Sequence, residues 1–172
     1  MRSVGGGCIN NGARLETESS NSLFLKQNIS APRDMFAREA EGLRAIRTPD
    51  GPRVPTAHLE SEHFLLLEDL LPAPRAESYW IEFGLRLAAL HAHIGSAYGF
   101  EHDNYLGSTP QPNPWTEDGY TFFAEHRLLY QARLAHSAGL LSRADLGRTE
   151  SLSKRLHDLV PEQFPSLIHG DL

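Results

Sequence analysis

The chain reads as an α+β protein, a small antiparallel sheet with one helix followed by a mainly helical part. Three observations predict this. Short apolar runs separated by turn residues fill positions 2–70. From Trp80 onward apolar residues recur at intervals of three and four. Between the two patterns lies Glu68-Asp69-Leu70-Leu71-Pro72-Ala73-Pro74, which suits a linker leaving a strand. Two parts are therefore expected, residues 1–70 and residues 71–172.

Each element has its own signal. Gly5-Gly6-Gly7 interrupts an extended start, and Ala13 to Thr17 reads as a strand. Ser19-Ser20-Asn21-Ser22 has turn chemistry before a strand over Leu23-Phe24-Leu25-Lys26, so the opening resembles an antiparallel hairpin. A helix is predicted from about Pro32 to Arg47, with Ser30 as cap and Pro32 in the first turn. Met35, Phe36, Glu39, Leu43 and Ile46 share one face of it. Thr48-Pro49-Asp50-Gly51-Pro52 ends the helix, and strands follow over Val54–Leu59 and Phe64–Leu67. Trp80, Phe83, Leu87, Leu90 and Ile94 then form an amphipathic stripe. Residues 95–117 are rich in Gly, Pro and Asn and read as one long loop, a kind of segment that often carries function. Tyr120 to Ala138 is helical in pattern, with Phe123, Leu128 and Leu129 expected inward. Ser142 caps a further helix with Asp145 in capping-box position, and Leu146, Thr149, Leu152, Leu156 and Leu159 form its stripe. Pro161 and Pro165 break it before Ser166 to Leu172, read as a short strand running into a loop.

Composition narrows the function. With 172 residues, 40% of them hydrophobic and 22% charged, the chain resembles an ordinary globular domain. Lys plus Arg number 16 against 22 Asp plus Glu, a net charge of −6 that argues against a nucleic-acid partner. The single cysteine, Cys8, excludes an internal disulfide framework and suits a reducing compartment. No apolar run approaches the roughly 20 residues of a membrane span, and the start lacks the apolar core of a secretory signal. A cytoplasmic location, with no membrane partner, is the expectation.

A few residues can carry chemistry. The Gly5-Gly6-Gly7-Cys8-Ile9-Asn10-Asn11-Gly12 turn lets backbone N–H groups approach an anion, although a glycine turn serves equally as a plain turn. It is neither a Walker A loop nor a G-x-G-x-x-G. Lys26 ends an apolar strand and Glu39 lies on the apolar-facing side of the next helix. A strand lysine paired with a helix glutamate can hold nucleotide phosphates, while a solvated pair would do nothing of the kind. In His169-Gly170-Asp171 the aspartate follows an apolar strand and can accept a proton from a substrate hydroxyl. Nine histidines raise the question of a metal, but His91 and His93 point to nearly opposite sides of a helix and no H-E-x-x-H occurs. The absence of G-x-S-x-G removes support for a hydrolase elbow.

In order, these features are the parts of a protein-kinase-like phosphotransferase. Gly5–Asn10, Leu23–Lys26, Met35–Glu39, Leu65–Leu70, Leu87–His91, Asp103–Gln111 and His169–Leu172 together resemble the fructosamine kinase (ketosamine-3-kinase) family. Asp103-Asn104-Tyr105-Leu106-Gly107-Ser108-Thr109-Pro110-Gln111 is the most specific of these stretches. The resemblance implies a two-lobed kinase-like fold and ATP-dependent phosphorylation of the sugar 3-hydroxyl of ketosamines, free or protein-bound, which restores the amine. It implies that Asp171 accepts the proton, that Lys26 contacts ATP phosphates and that Glu39 partners Lys26. Gly5, Gly6 and Gly7 would cover the phosphates, and Glu68, Asp69 and Leu70 would meet adenine through backbone groups. Asn104, Gln111 and Trp115 would lie near the substrate cleft. It further suggests a redox-linked homodimer through Cys8. Family members carry Mg2+ ligands after the H-G-D motif, so none is expected within this chain. The chain is read as a fragment with turnover near background. The alternatives are another small-molecule kinase of the same fold, of aminoglycoside or choline type, or a non-catalytic nucleotide-binding remnant. In a third reading the helices leave apolar surface exposed and the chain aggregates.

Overall fold

The structure, a computed structural model, describes residues 2–4, 10–18 and 22–170. Its contacts divide the chain into two compact units, one of residues 1–93, 104–109 and 167–172 and one of residues 94–103 and 110–166.

The first unit is built on a five-stranded sheet of β1 (Arg2–Val4), β2 (Asn11–Glu16), β3 (Ser22–Gln27), β4 (Ala57–Glu60) and β5 (Phe64–Glu68), in the order β1-β2-β3-β5-β4. All four ladders are antiparallel, as the short alternating runs predict. Helix α1 (Met35–Ala45) packs on one face. Phe24 pairs with Leu67 and Lys26 with Leu65, and directly opposed residues share a face, so Phe24, Lys26, Leu65 and Leu67 all project toward α1. Phe36, Ala40, Leu65 and Leu67 form the core there, with Phe24, Leu43 and Ala57 packed against it.

Two boundaries differ from the sequence reading. The helix begins at Met35 with Asp34 at its cap position, so Ser30 and Pro32 belong to the turns before it. The strand expected from Val54 starts only at Ala57, because Pro55 has no N–H to give a ladder. Helix α2 (Tyr79–His91) completes the unit. Its Leu90 is buried, while Trp80 is 64% exposed, at variance with the inward stripe expected of it.

The expected long loop is not structureless. It holds β6 (Asn104–Leu106) and β7 (Thr109–Gln111), which pair, the chain leaving the first unit within β7. In the second unit Tyr98 and Thr116 exchange backbone hydrogen bonds at 2.9 and 2.8 Å, and the Phe100 N–H donates to the Asn113 carbonyl at 3.0 Å. Gly99 sits inside this ladder at φ +136, where a Cβ would lie 2.8 Å from the Pro114 carbonyl oxygen.

The helix read as continuous from Tyr120 is composite: α3 (Gly119–Phe123), a π-helical segment (Ala124–Leu129) and α4 (Tyr130–Ser137). Leu129 is buried as expected, but Phe123 is 48% exposed and Phe122 instead stacks on Tyr98. The π turn carries an extra residue, which breaks the α-helical spacing used to align Phe123 with Leu128 and Leu129. Helix α5 (Arg143–Ser153) starts at the predicted Ser142 cap, whose hydroxyl accepts from the Asp145 N–H. Its stripe is interrupted after Ser153 and a short α6 (Leu156–Leu159) carries the buried Leu156. The hydroxyls of Thr149, Ser151 and Ser153 each donate to the carbonyl four residues back, a habit that weakens a helix. The strand expected at Ser166 is a single bridge to Ile94. No described helix is long and apolar enough to cross a membrane.

Candidate functional site

Lys26 and Glu39 meet. The Lys26 ammonium donates to Glu39 Oε1 in a half-exposed ion pair. The pleat puts Lys26 on the α1 face two residues after Phe24, which packs against the core, and helical spacing puts Glu39 one turn past Phe36. Phe36 lies in the core under α1 and Phe24 packs against that core, so the same apolar packing carries both charges.

The strand end that follows β5 is held by its side chains. Asp69, 4% exposed, accepts from Arg14 and Ser22. The Arg14 hydrogen bond holds the Asp69 carboxyl below the usual carboxylate range against the cost of burial. Glu68 accepts from the Thr56 N–H at 3.1 Å and from Arg53, and the Arg53 bond is the main cause lowering its pKa. Both carboxylates are therefore occupied within the protein. The Leu70 N–H and C=O have no backbone partner among the described residues.

His169 lines a cleft of about 160 Å³ with Leu43 and Ile46 of α1, the Pro52–Pro55 segment and Phe83, Leu87 and Leu90 of α2. Gly170 follows at φ +85, the left-handed region that favours glycine. Asp171 lies outside the described residues, as do Gly5, Gly6, Gly7 and Cys8. Tyr105 of β6 donates to Asp34 Oδ1 at 2.6 Å, which ties the Asn104-Tyr105-Leu106 strand to the start of α1 and raises the Tyr105 pKa. Among the described residues no group of three or more His, Cys, Asp and Glu side chains is placed to hold a metal ion.

A family model described as fructosamine kinase matches residues 1–172. The chain belongs to the fructosamine kinase family. It is 40% identical to a probable ketoamine kinase of Synechocystis over 99% of its own length and 59% of that protein. It is 36% identical to a chloroplastic protein-ribulosamine 3-kinase of Arabidopsis thaliana over 99% of its own length and 54% of that protein. A crystal structure of a Thermobifida fusca protein assigned as a candidate fructosamine-3-kinase superposes with a TM-score of 0.88 at 29% identity, covering 99% of this chain and 60% of that one. The chain thus spans somewhat more than half the length of these relatives.

For this fructosamine kinase family member, the structure brings Lys26 to Glu39 and sets Glu68, Asp69 and Leu70 at the end of β5. It places Asn104 in the first unit and Gln111 and Trp115 in the second, where Trp115 is 59% exposed. Sequence reasoning missed a polar knot in the second unit. Arg127 donates to the Pro112 carbonyl at 2.7 Å and to Asn113 Oδ1, and the Asn113 N–H donates to Asp103 Oδ1 at 2.7 Å. The available signal was an arginine one helical turn from Phe123 on a helix otherwise read as apolar inside. A charge there requires partners.

Proposed function

We propose that this chain contributes the nucleotide-gripping half of an ATP-dependent kinase that phosphorylates the 3-hydroxyl of ketosamines. The observation that carries the reading is the Lys26–Glu39 pair on the sheet of a fructosamine kinase family member. A lysine held by a helix carboxylate presents its ammonium to nucleotide phosphates, and such transfer proceeds mostly by positioning and charge neutralisation.

The residues present fit a nucleotide. Glu68 and Asp69 spend their side chains on Arg53, Thr56, Arg14 and Ser22, which leaves main-chain groups around Leu70 to read adenine. Gly5, Gly6 and Gly7 would cover the phosphates by backbone N–H groups. Asp171 would orient the sugar hydroxyl and take its proton as the oxygen attacks the γ-phosphorus and the bond to ADP breaks. Asn104, Gln111 and Trp115 would bind the sugar, Trp115 through its exposed ring. The lobe boundary belongs at Leu70–Leu71. Mg2+ would supply further neutralisation of phosphate charge.

The test is an assay of the chain joined to the downstream segment of its Synechocystis relative. ATP is offered with fructosyl-lysine, ribulosyl-lysine, kanamycin and choline, and products are read by phosphorus NMR. A phosphate ester at the sugar O3 is expected, severely slowed by Asp171→Asn with ATP affinity retained. Transfer to kanamycin or choline in preference to the ketosamines would refute the substrate reading.

A further inference from the structure

The segment Thr109-Pro110-Gln111-Pro112-Asn113-Pro114-Trp115 alternates proline with polar or aromatic residues. Pro110, Pro112 and Pro114 have no N–H, so the segment has few donors of its own with which to fix its path. It must be held through its carbonyls and through Asn113.

The β6–β7 pairing and the Phe100 N–H on the Asn113 carbonyl hold part of the segment, and Arg127 supplies further bonds. One guanidinium nitrogen donates to the Pro112 carbonyl at 2.7 Å and to the His126 carbonyl at 2.9 Å. The other donates to Asn113 Oδ1. Asn113, only 4% exposed, passes the constraint on: its amide nitrogen Nδ2 donates to the His102 carbonyl at 3.1 Å and its N–H to Asp103 Oδ1 at 2.7 Å. The guanidinium carbon lies 4.5 Å from the Phe122 ring centre, so the plane is fixed on a further side. Its direct acceptors are neutral oxygens rather than a carboxylate. A half-buried cation spent in this way costs desolvation and returns geometry more than ion-pair energy. The arginine also sits in the π-helical segment, a local departure that aims a side chain differently from a regular helix.

We propose that Arg127 is a positioning residue that clamps residues 102–103 to residues 112–113 and thereby sets the pose of Gln111 and Trp115 toward the ketosamine sugar. This rests on the substrate reading given above. Arg127 itself bonds neither Gln111 nor Trp115 and acts only through the segment between them. A planar fork reaching several acceptors is not replaced by a lysine's point charge.

The test compares the 172-residue protein with Arg127→Met and Arg127→Lys. Amide exchange is followed by NMR and fructosyl-lysine binding by calorimetry, with circular dichroism as the check on folding. Both variants are expected to keep their helical signal. The Asn113 amide is expected to exchange about tenfold faster or more, and sugar affinity to fall about tenfold, the worth of a charged hydrogen bond. The amide of Ala132, on the same composite helix, should exchange as before. Unchanged exchange at Asn113 in Arg127→Met, or full restoration of exchange and affinity by Arg127→Lys, overturns the clamp. If Arg127→Met does not fold, Arg127→Lys decides by the same readouts. Should the wild-type chain take up no sugar, or Gln111→Ala take it up as well as wild type, the substrate reading of this segment fails while exchange at Asn113 still scores the clamp.

Discussion

The Lys26–Glu39 contact shows how an ordinary core can aim a charged pair. Lys26 follows the partly buried Phe24 and Glu39 follows the buried Phe36, so the pair is placed by apolar packing. This much was legible in the sequence, because strand alternation and helical spacing each put the charge on a known face. Asp69 was legible only as part of a strand end. That its carboxylate holds Arg14 and Ser22 depends on β2 and β3 being adjacent, a long-range fact. The pKa of Asp69 is lowered in the folded state, so the unfolded chain binds more protons as pH falls through the carboxylate range. The stability Asp69 contributes is therefore present above about pH 4 and lost as pH falls through its lower folded pKa. Glu68, Asp118 and Asp145 are shifted in the same direction. Urea melts between pH 7 and pH 3 should show stability falling at the acid end, with a shallower fall in Asp69→Asn. Parallel curves for the variant and wild type would contradict this.

At the scale of elements, the sheet and the first helix were visible because their periods are short and their ends carry Gly, Pro or Ser. The segment between α2 and α3 was not. Its ladder pairs Tyr98 and Phe100 with Thr116 and Asn113, and no local pattern announces a pairing between a glycine-containing stretch and a proline-rich one. The π-helical segment was hidden for a related reason: one extra residue in a turn leaves composition unchanged and shifts only the phase. Gly99 tests the ladder directly. Alanine at φ +136, with its Cβ 2.8 Å from the Pro114 oxygen, should cost about 1–3 kcal/mol. A denaturant melt of Gly99→Ala is the measurement. A change of a few tenths of a kcal/mol or less would mean that the ladder does not contribute to stability.

On the scale of the molecule, apolar side chains remain open on both units. Trp80, Ile81 and Leu85 of α2 are 64%, 69% and 63% exposed, and Leu140 and Phe164 are 79% and 74% exposed. Exposed large apolar side chains favour association. The 172-residue chain should therefore bind a hydrophobic dye and elute from a sizing column at a volume that depends on concentration. Ile81→Glu combined with Leu85→Lys should reduce both effects. The amphipathic stripe from Trp80 was legible in sequence, but which of its residues find a partner was not, since that is decided by elements distant in the chain.

In the proposed function the sheet and α1 grip a nucleotide through Lys26. Titration of ATP into the wild-type chain and into Lys26→Met by calorimetry tests it most directly, with thermal melts as the control on folding. Saturable binding that weakens about tenfold or more in Lys26→Met, at an unchanged melting temperature, is the predicted result. Equal ATP affinity in the two proteins would show that Lys26 does not hold the nucleotide.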